Sequence, residues 1–334
     1  MSALLFLLTG CSLRLGVPYA PAEHSPPAAI ATTFDARDPA ALFDDAITRR
    51  EAGDAEGAIQ RLVHLRLAGD TSTAVLNHLG VTYENIEDHE TALSVYDLLL
   101  SEDREPGTQR DAGFRRAQVL EALGQHDDAL RQLKAIKPPP GGFDAKDQHT
   151  YDIQLGIAML RAGPAGRGER KVRGGLDALA GTDATYIQAK GRYGLIEHQL
   201  FEVADLPLEG RERKVQKNLE ARGLALLDAE SVLGEAVIPL GEPEWILAGV
   251  MLVGDGYAAL GRDILSAPPP SRLTVEQQNI YESTVREKAA VIYRKAWTRY
   301  DTGLAYAGEL GMENRYTRAL AERRDALNLD QFID

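Results

Sequence analysis

Residues 73–100 read TAVLNHLGVTYENIEDHETALSVYDLLL. Leu79, Gly80 and Tyr83 fall at helical spacing in the first half, and Ala92, Tyr96 and Leu99 do so in the second. This spacing predicts two amphipathic helices joined by a short polar turn. Antiparallel helices approach closely only where side chains are small. The pattern therefore sets Gly80 against Ala92, with Leu79, Tyr83, Tyr96 and Leu99 filling the space around that crossing.

The same pattern recurs on either side. Moving back 34 positions puts Ala46, Ala58, Leu62 and Leu65 in these slots, with AGDAEGAI as the turn and the start of the second helix. Moving forward 37 positions puts Ala117, Ala129, Leu133 and Ile136 there, within ALGQHDDALRQLKAI. Three copies in near-constant phase mark a repeat architecture. KPPPGG closes the third copy, because proline and glycine end helices. Leu-Gly, an aromatic three residues on, Ala twelve after the glycine and an aromatic four later together resemble the tetratricopeptide (TPR) repeat over residues 39–140. That resemblance implies an all-α, TPR-like, right-handed helical solenoid whose stacked pairs curve into a groove for a peptide or helix.

Beyond residue 145 the period loosens. Residues 141–265 read as degenerate helix pairs. Among them, PAGRGERKVRGG is expected to be a loop entering a helix, and ERKV recurs at Glu169–Val172 and Glu212–Val215. Trp245, Gly249 and Leu252 again fit the first helix of a repeat. Residues 266–334 open with a proline break, followed by one long helix from Glu276 to Leu310, about 50 Å at the α-helical rise. Thr274 with Gln277 fits a capping box. Val285, Ala289, Ile292, Ala296, Tyr300 and Leu304 form its expected apolar stripe, and a short charged helix follows as an end cap.

The start of the chain has a different character. Residues 4–15, LLFLLTGCSLRL, hold an apolar run and then Cys11, the only cysteine in 334 residues. Ten residues of helix span roughly 15 Å, about half a bilayer core, so the run is too short to cross a membrane. An apolar run ending in small residues fits a secretory signal. LTGC resembles the lipobox of bacterial lipoproteins. The resemblance implies a signal peptide over 1–10, a diacylglycerol on the Cys11 sulfur, and Cys11 as the acylated first residue. Ser12 after the cysteine implies, by the same likeness, sorting to the outer membrane. No Lys or Arg precedes the run, unlike the usual signal. The competing reading is a cytoplasmic TPR adaptor whose apolar start packs on the body. Residues 11–38 are rich in Pro and Ala and read as a flexible tether; about 26 residues of coil reach roughly 28 Å.

Composition narrows the function. The formal net charge is −13 and the pI near 5.1, a balance that repels phosphate backbones and argues against nucleic-acid binding. One cysteine excludes an intrachain disulfide and a multi-thiolate zinc site. The seven histidines are scattered, with no HExxH. No G-x-S-x-G elbow or Walker motif appears, so no catalytic residue, metal ligand, cofactor or small-molecule substrate is expected. Two basic clusters stand out in this acidic chain: Arg161, Arg167, Arg170, Lys171 and Arg173, then Arg211, Arg213, Lys214 and Lys217. They are candidates for contact with an acidic partner, glycan or lipid headgroup. Finally, LTVEQQNIYESTVREKAAVIYRKAW…ELGMENRYTRAL resembles the C-terminal region of myxobacterial envelope repeat proteins, including those of adventurous gliding motility. The anchor and repeats are also shared by lipoproteins of outer-membrane protein assembly and pilus assembly. These likenesses imply other cell-envelope proteins as partners.

Overall fold

The computed structural model describes residues 38–101, 105–270 and 273–327. Cys11, the signal segment and the tether up to residue 37 lie outside the described residues. The protein is all-α, with thirteen α-helices and no strand among the described residues. Its contacts divide the chain between Lys171 and Val172 into an N-terminal and a C-terminal unit.

The N-terminal unit stacks helix hairpins in TPR-like fashion: α1 (Pro39–Glu51) with α2 (Ala55–Leu67), α3 (Thr73–Asn85) with α4 (His89–Ser101), and α5 (Pro106–Ala122) with α6 (His126–Ala135). The helix α7 (Ala145–Ala162) packs on α6, and α8 (Ala165–Leu179) follows it. The first helices α1, α3 and α5 end alike. Gly53, Glu87 and Gly124 take φ values of +83°, +65° and +73°. The next amide reaches back five residues in each case: Asp54 to Arg49 at 2.8 Å, Asp88 to Tyr83 at 3.0 Å and Gln125 to Leu120 at 2.8 Å. This is the Schellman ending, in which a left-handed residue satisfies carbonyls the helix leaves open. Asp54 and Asp88 then cap the second helices, accepting from the amides of Gly57 at 2.9 Å and Thr91 at 3.1 Å. Gln125 makes no such bond.

The small residues of the repeat lie deep. Ala46, Ala58, Ala92, Ala117 and Ala129 are all at 0% exposure. Leu79 and Gly80 are buried, and Tyr83 is half-buried. The space beside Gly80 is filled differently from the sequence expectation. A Cβ on Gly80 would lie 2.7 Å from Cζ of Tyr96, so the fully buried Tyr96 ring occupies the gap expected to admit Ala92.

The expected loop at PAGRGERKVRGG is also corrected: the chain is helical from Ala165 onward. Glycine normally weakens a helix interior by about 1 kcal/mol relative to Ala. Here a Cβ on Gly168 would sit 2.6 Å from the carbonyl oxygen of Gly156 and 2.9 Å from the amide nitrogen of Leu160. α7 and α8 thus cross backbone to backbone, which only glycine permits.

In the C-terminal unit, α9 (Thr185–Ala204) pairs with α10 (Glu212–Val232). α10 runs through a π-turn, Leu233–Val237, and a 3₁₀ turn, Ile238–Leu240, which Gly241 closes at φ +69°. Next come α11 (Pro243–Ser266), α12 (Val275–Glu309) and α13 (Arg315–Ala326). α11 is the core of this unit, with Trp245, Leu247, Val250, Leu252 and Val253 all buried. α9, α12 and α13 pack around it. The Thr274–Gln277 capping box opens α12.

The buried stripe of α12 is Ala289, Tyr293, Ala296, Tyr300, Gly303 and Ala307. Val285, Ile292 and Leu304, expected in that stripe, are only half-buried. The seam follows shape: Tyr300 lies against Gly254, Tyr293 sits about 3.1 Å from the Cβ position of Gly261, and Leu320 of α13 covers Gly303. In this antiparallel register α11 ends level with Lys288. The first residues of α12, 275–288, run past it and are exposed except for the half-buried Tyr281 and Val285. Midway along α11, Asp255 accepts from the Tyr300 hydroxyl at 2.8 Å and from Arg323 Nε at 2.7 Å, tying three helices together.

Candidate binding face of the helix repeat

The first helices of successive hairpins carry a polar ladder. Its rungs start four residues after each small packing residue: Arg50 follows Ala46, Glu84 follows Gly80 and Glu121 follows Ala117. One helical turn places each rung on the face adjoining the next first helix. Arg50 Nη1 lies 2.6 Å from His78 Nδ1 on α3. Arg115 Nη1 on α5 donates to Glu84 Oε1 at 3.4 Å. Gln154 Nε2 on α7 donates to Glu121 Oε2 at 2.7 Å, and Arg161 Nη1 stands 3.8 Å from the same oxygen. The ladder therefore joins α1, α3, α5 and α7 along one side of the unit.

The rungs differ in depth and charge. Glu121 is 7% exposed and Gln154 is at 0%, so the α5–α7 rung is closed. Glu84 also accepts from the hydroxyl of the buried Tyr96, which connects the ladder to the packing core. Burial pushes the Tyr96 phenol up, and the charge of Glu84 adds to that. The α1–α3 rung is open and cationic. Its His78 sits edge-on to Phe43, with ring centroids 5.4 Å apart. Burial first, then the charges of Arg50 and Arg115, hold His78 below its ordinary value, and Glu51 opposes them. A neutral imidazole whose Nδ1 accepts from Arg50 fits this environment.

The basic clusters are placed as follows. Arg167, Arg170 and Arg173 are exposed on α8. Lys171 is half-buried and its Nζ donates to Asp152 Oδ1 at 2.5 Å, so it is engaged inside the N-terminal unit. Arg211, Arg213, Lys214 and Lys217 are exposed at the start of α10, in the C-terminal unit. Arg161, the first member of the upstream basic cluster, joins the ladder beside Glu121; the other ladder residues were not singled out in the sequence. Their signal was positional: one residue per copy, at constant offset from the small packing position.

Among the described residues no helix is long and apolar enough to cross a membrane, and no group of His, Cys, Asp and Glu could hold a metal ion.

Hairpins stacked through small residues, with a polar ladder along their first helices, define the class of this protein as an all-α, TPR-like helical repeat. Comparison with known proteins adds the following. The sequence matches no protein-family model and no characterised protein. Among solved structures it is similar to a tetratricopeptide repeat protein from Parabacteroides merdae, at 13% identity and a TM-score of 0.40, over 86% of this chain and 98% of that one. It is also similar to a circular tandem repeat protein, at 14% identity and a TM-score of 0.20, over 87% of this chain and 76% of that one.

Proposed function

We propose that this protein is a non-enzymatic scaffold that binds other proteins along the first helices of its N-terminal unit. The observation that carries this reading is the ladder from Arg50 to Gln154, which lines successive hairpins and opens at Arg50 and His78. A peptide or helix lying along it meets a charged end and a closed end, so its direction is set. In the same reading Cys11 carries a diacylglycerol, and the scaffold hangs by its tether from the outer membrane, facing the periplasm of a Gram-negative envelope. Its partners are then other envelope proteins, of a motility or envelope-assembly complex. The lipobox likeness and the C-terminal likeness support this placement, and the acidic surface is consistent with protein partners over nucleic acid.

The test places a photo-crosslinking residue at His78, on α3, and separately at the exposed Ser94 on α4. Expression in the native host should give discrete protein adducts from position 78 and none from position 94. Equal adducts at both, or none at 78, would overturn the binding face. Cys11→Ala should release the protein from the membrane fraction, and unchanged fractionation would remove the anchor.

A further inference from the structure

A cleft of about 310 Å³ opens in the C-terminal unit beneath the connection between α9 and α10. Asp205, Leu206, Pro207, Glu209, Arg222 and Asp263 line it. Arg222 is the unusual member: it is on α10, faces inward and is only 5% exposed. One Nη2 hydrogen is donated to Asp263 Oδ2 at 2.6 Å, and Nη1 reaches the Leu206 carbonyl at 3.5 Å, the outer limit of a hydrogen bond. Among the described residues its remaining N–H groups have no acceptor. Arg222 also borders a second space of about 30 Å³, an apolar slot walled by Leu200, Val203, Leu226, Leu252 and Gly256. Its remaining donors stand between a polar cleft and an apolar slot, where a ligand oxygen can accept from them.

The charges identify that acceptor. Asp263 already balances Arg222, while Asp205 and Glu209 stand exposed at the rim. Arg211, Arg213 and Lys214 come shortly after in the chain, but they do not line the cleft. An anion would meet net negative charge there. A neutral carbonyl oxygen would take the Arg222 donors without a charge penalty, and a cation beside it would be drawn to the rim carboxylates. The slot is small and walled mainly by aliphatic side chains, so it suits a small apolar group. We infer that this cleft binds an extended peptide segment, with a backbone carbonyl on Arg222, a small aliphatic side chain in the slot, and a neighbouring Lys or Arg at Asp205 and Glu209. The inference does not depend on the first-helix face, whose crosslinking test is read separately.

The experiment uses the full chain and fluorescein-labelled Gly-Ala-Lys-Ala-Lys-Ala-Gly, followed by fluorescence anisotropy in low salt. The same peptide with Glu in place of Lys is the sign control. Binding of the Lys peptide, with the Glu peptide at least about tenfold weaker, is expected. Asp205→Asn with Glu209→Gln should weaken the Lys peptide about tenfold, which is the scale of two rim charges. Asp44→Asn with Glu90→Gln removes the same charge from exposed sites in the N-terminal unit and should leave the affinity unchanged. Equal losses in both double variants would reduce the interaction to general attraction and overturn the site. No binding of the Lys peptide, or equal binding of the Glu peptide, would overturn it as well.

Discussion

Gly80 carries the sharpest energetic expectation. Its absent Cβ would lie 2.7 Å from Cζ and 2.8 Å from Cε1 of Tyr96. That ring has nowhere to go: Tyr96 is at 0% exposure, and its hydroxyl is held by Glu84, which Arg115 holds in turn. Overpacking of this kind costs about 1–3 kcal/mol. Alanine in place of glycine inside a helix returns about 1 kcal/mol. Gly80→Ala should therefore lower stability by about 0–2 kcal/mol, a small number that is ambiguous alone. The double-mutant cycle makes it decisive. Tyr96→Ala should cost about 3–5 kcal/mol, the usual range for a buried aromatic. Once the ring is gone, Gly80→Ala should stabilise by about 1 kcal/mol, so its effect becomes favourable and the coupling is about 1–3 kcal/mol. Urea unfolding of the four proteins, followed by circular dichroism, measures each value, provided the slopes agree. If Gly80→Ala has the same effect with and without the Tyr96 ring, the ring does not fill the crossing and the packing argument fails.

Two further outcomes follow from the same unit. Glu87 is the only non-glycine among the described residues with positive φ, at a turn where the other copies use Gly53 and Gly124. Glu87→Gly relieves the left-handed penalty and should raise stability by about 0.5–1 kcal/mol in urea unfolding; a loss of stability would show that the Glu87 side chain outweighs its backbone. His78, held below its ordinary value by burial, Arg50 and Arg115, binds fewer protons folded than unfolded. Stability should then fall as the pH drops through about 6.5 toward the folded value, and the His78→Gln chain should lose that part of the slope between pH 7.5 and 5.5. An unaltered slope would place the titration elsewhere.

The hairpins were legible because their signal is local. Ala46, Gly80 and Ala117 recur in phase with Ala58, Ala92 and Ala129, and helical period plus small-residue spacing is enough to read them. The turn in AGDAEGAI was legible for the same reason, whereas the shared left-handed ending was not read, and Glu87 stands in the middle copy where glycine is the usual marker of that conformation. The binding-face ladder was harder to see. Arg50, Glu84 and Glu121 share a position but not a chemistry, so no motif search collects them. Only the fold brings His78, Arg115 and Gln154 to them.

The misreadings share one physical cause. A hydrophobic stripe ranks positions by the polarity of their own side chains, whereas a helix seam is chosen by fit to the facing surface. Val285, Ile292 and Leu304 are the greasier choices on α12, yet Tyr293, Gly303 and Ala307 are buried, because α11 offers hollows at Gly254 and Gly261 and α13 offers Leu320. A tyrosine ring in a glycine hollow buries more area than a valine on a ridge, and its hydroxyl can still reach Asp255 from Tyr300. The same argument turns Gly168 from a loop signal into a helix-crossing signal. Gly168 lies against the α7 backbone at Gly156, and no property of Gly168 alone distinguishes that role from a turn. In this protein glycine opposite a large side chain is a packing code, and it can be read only when both helices are in view.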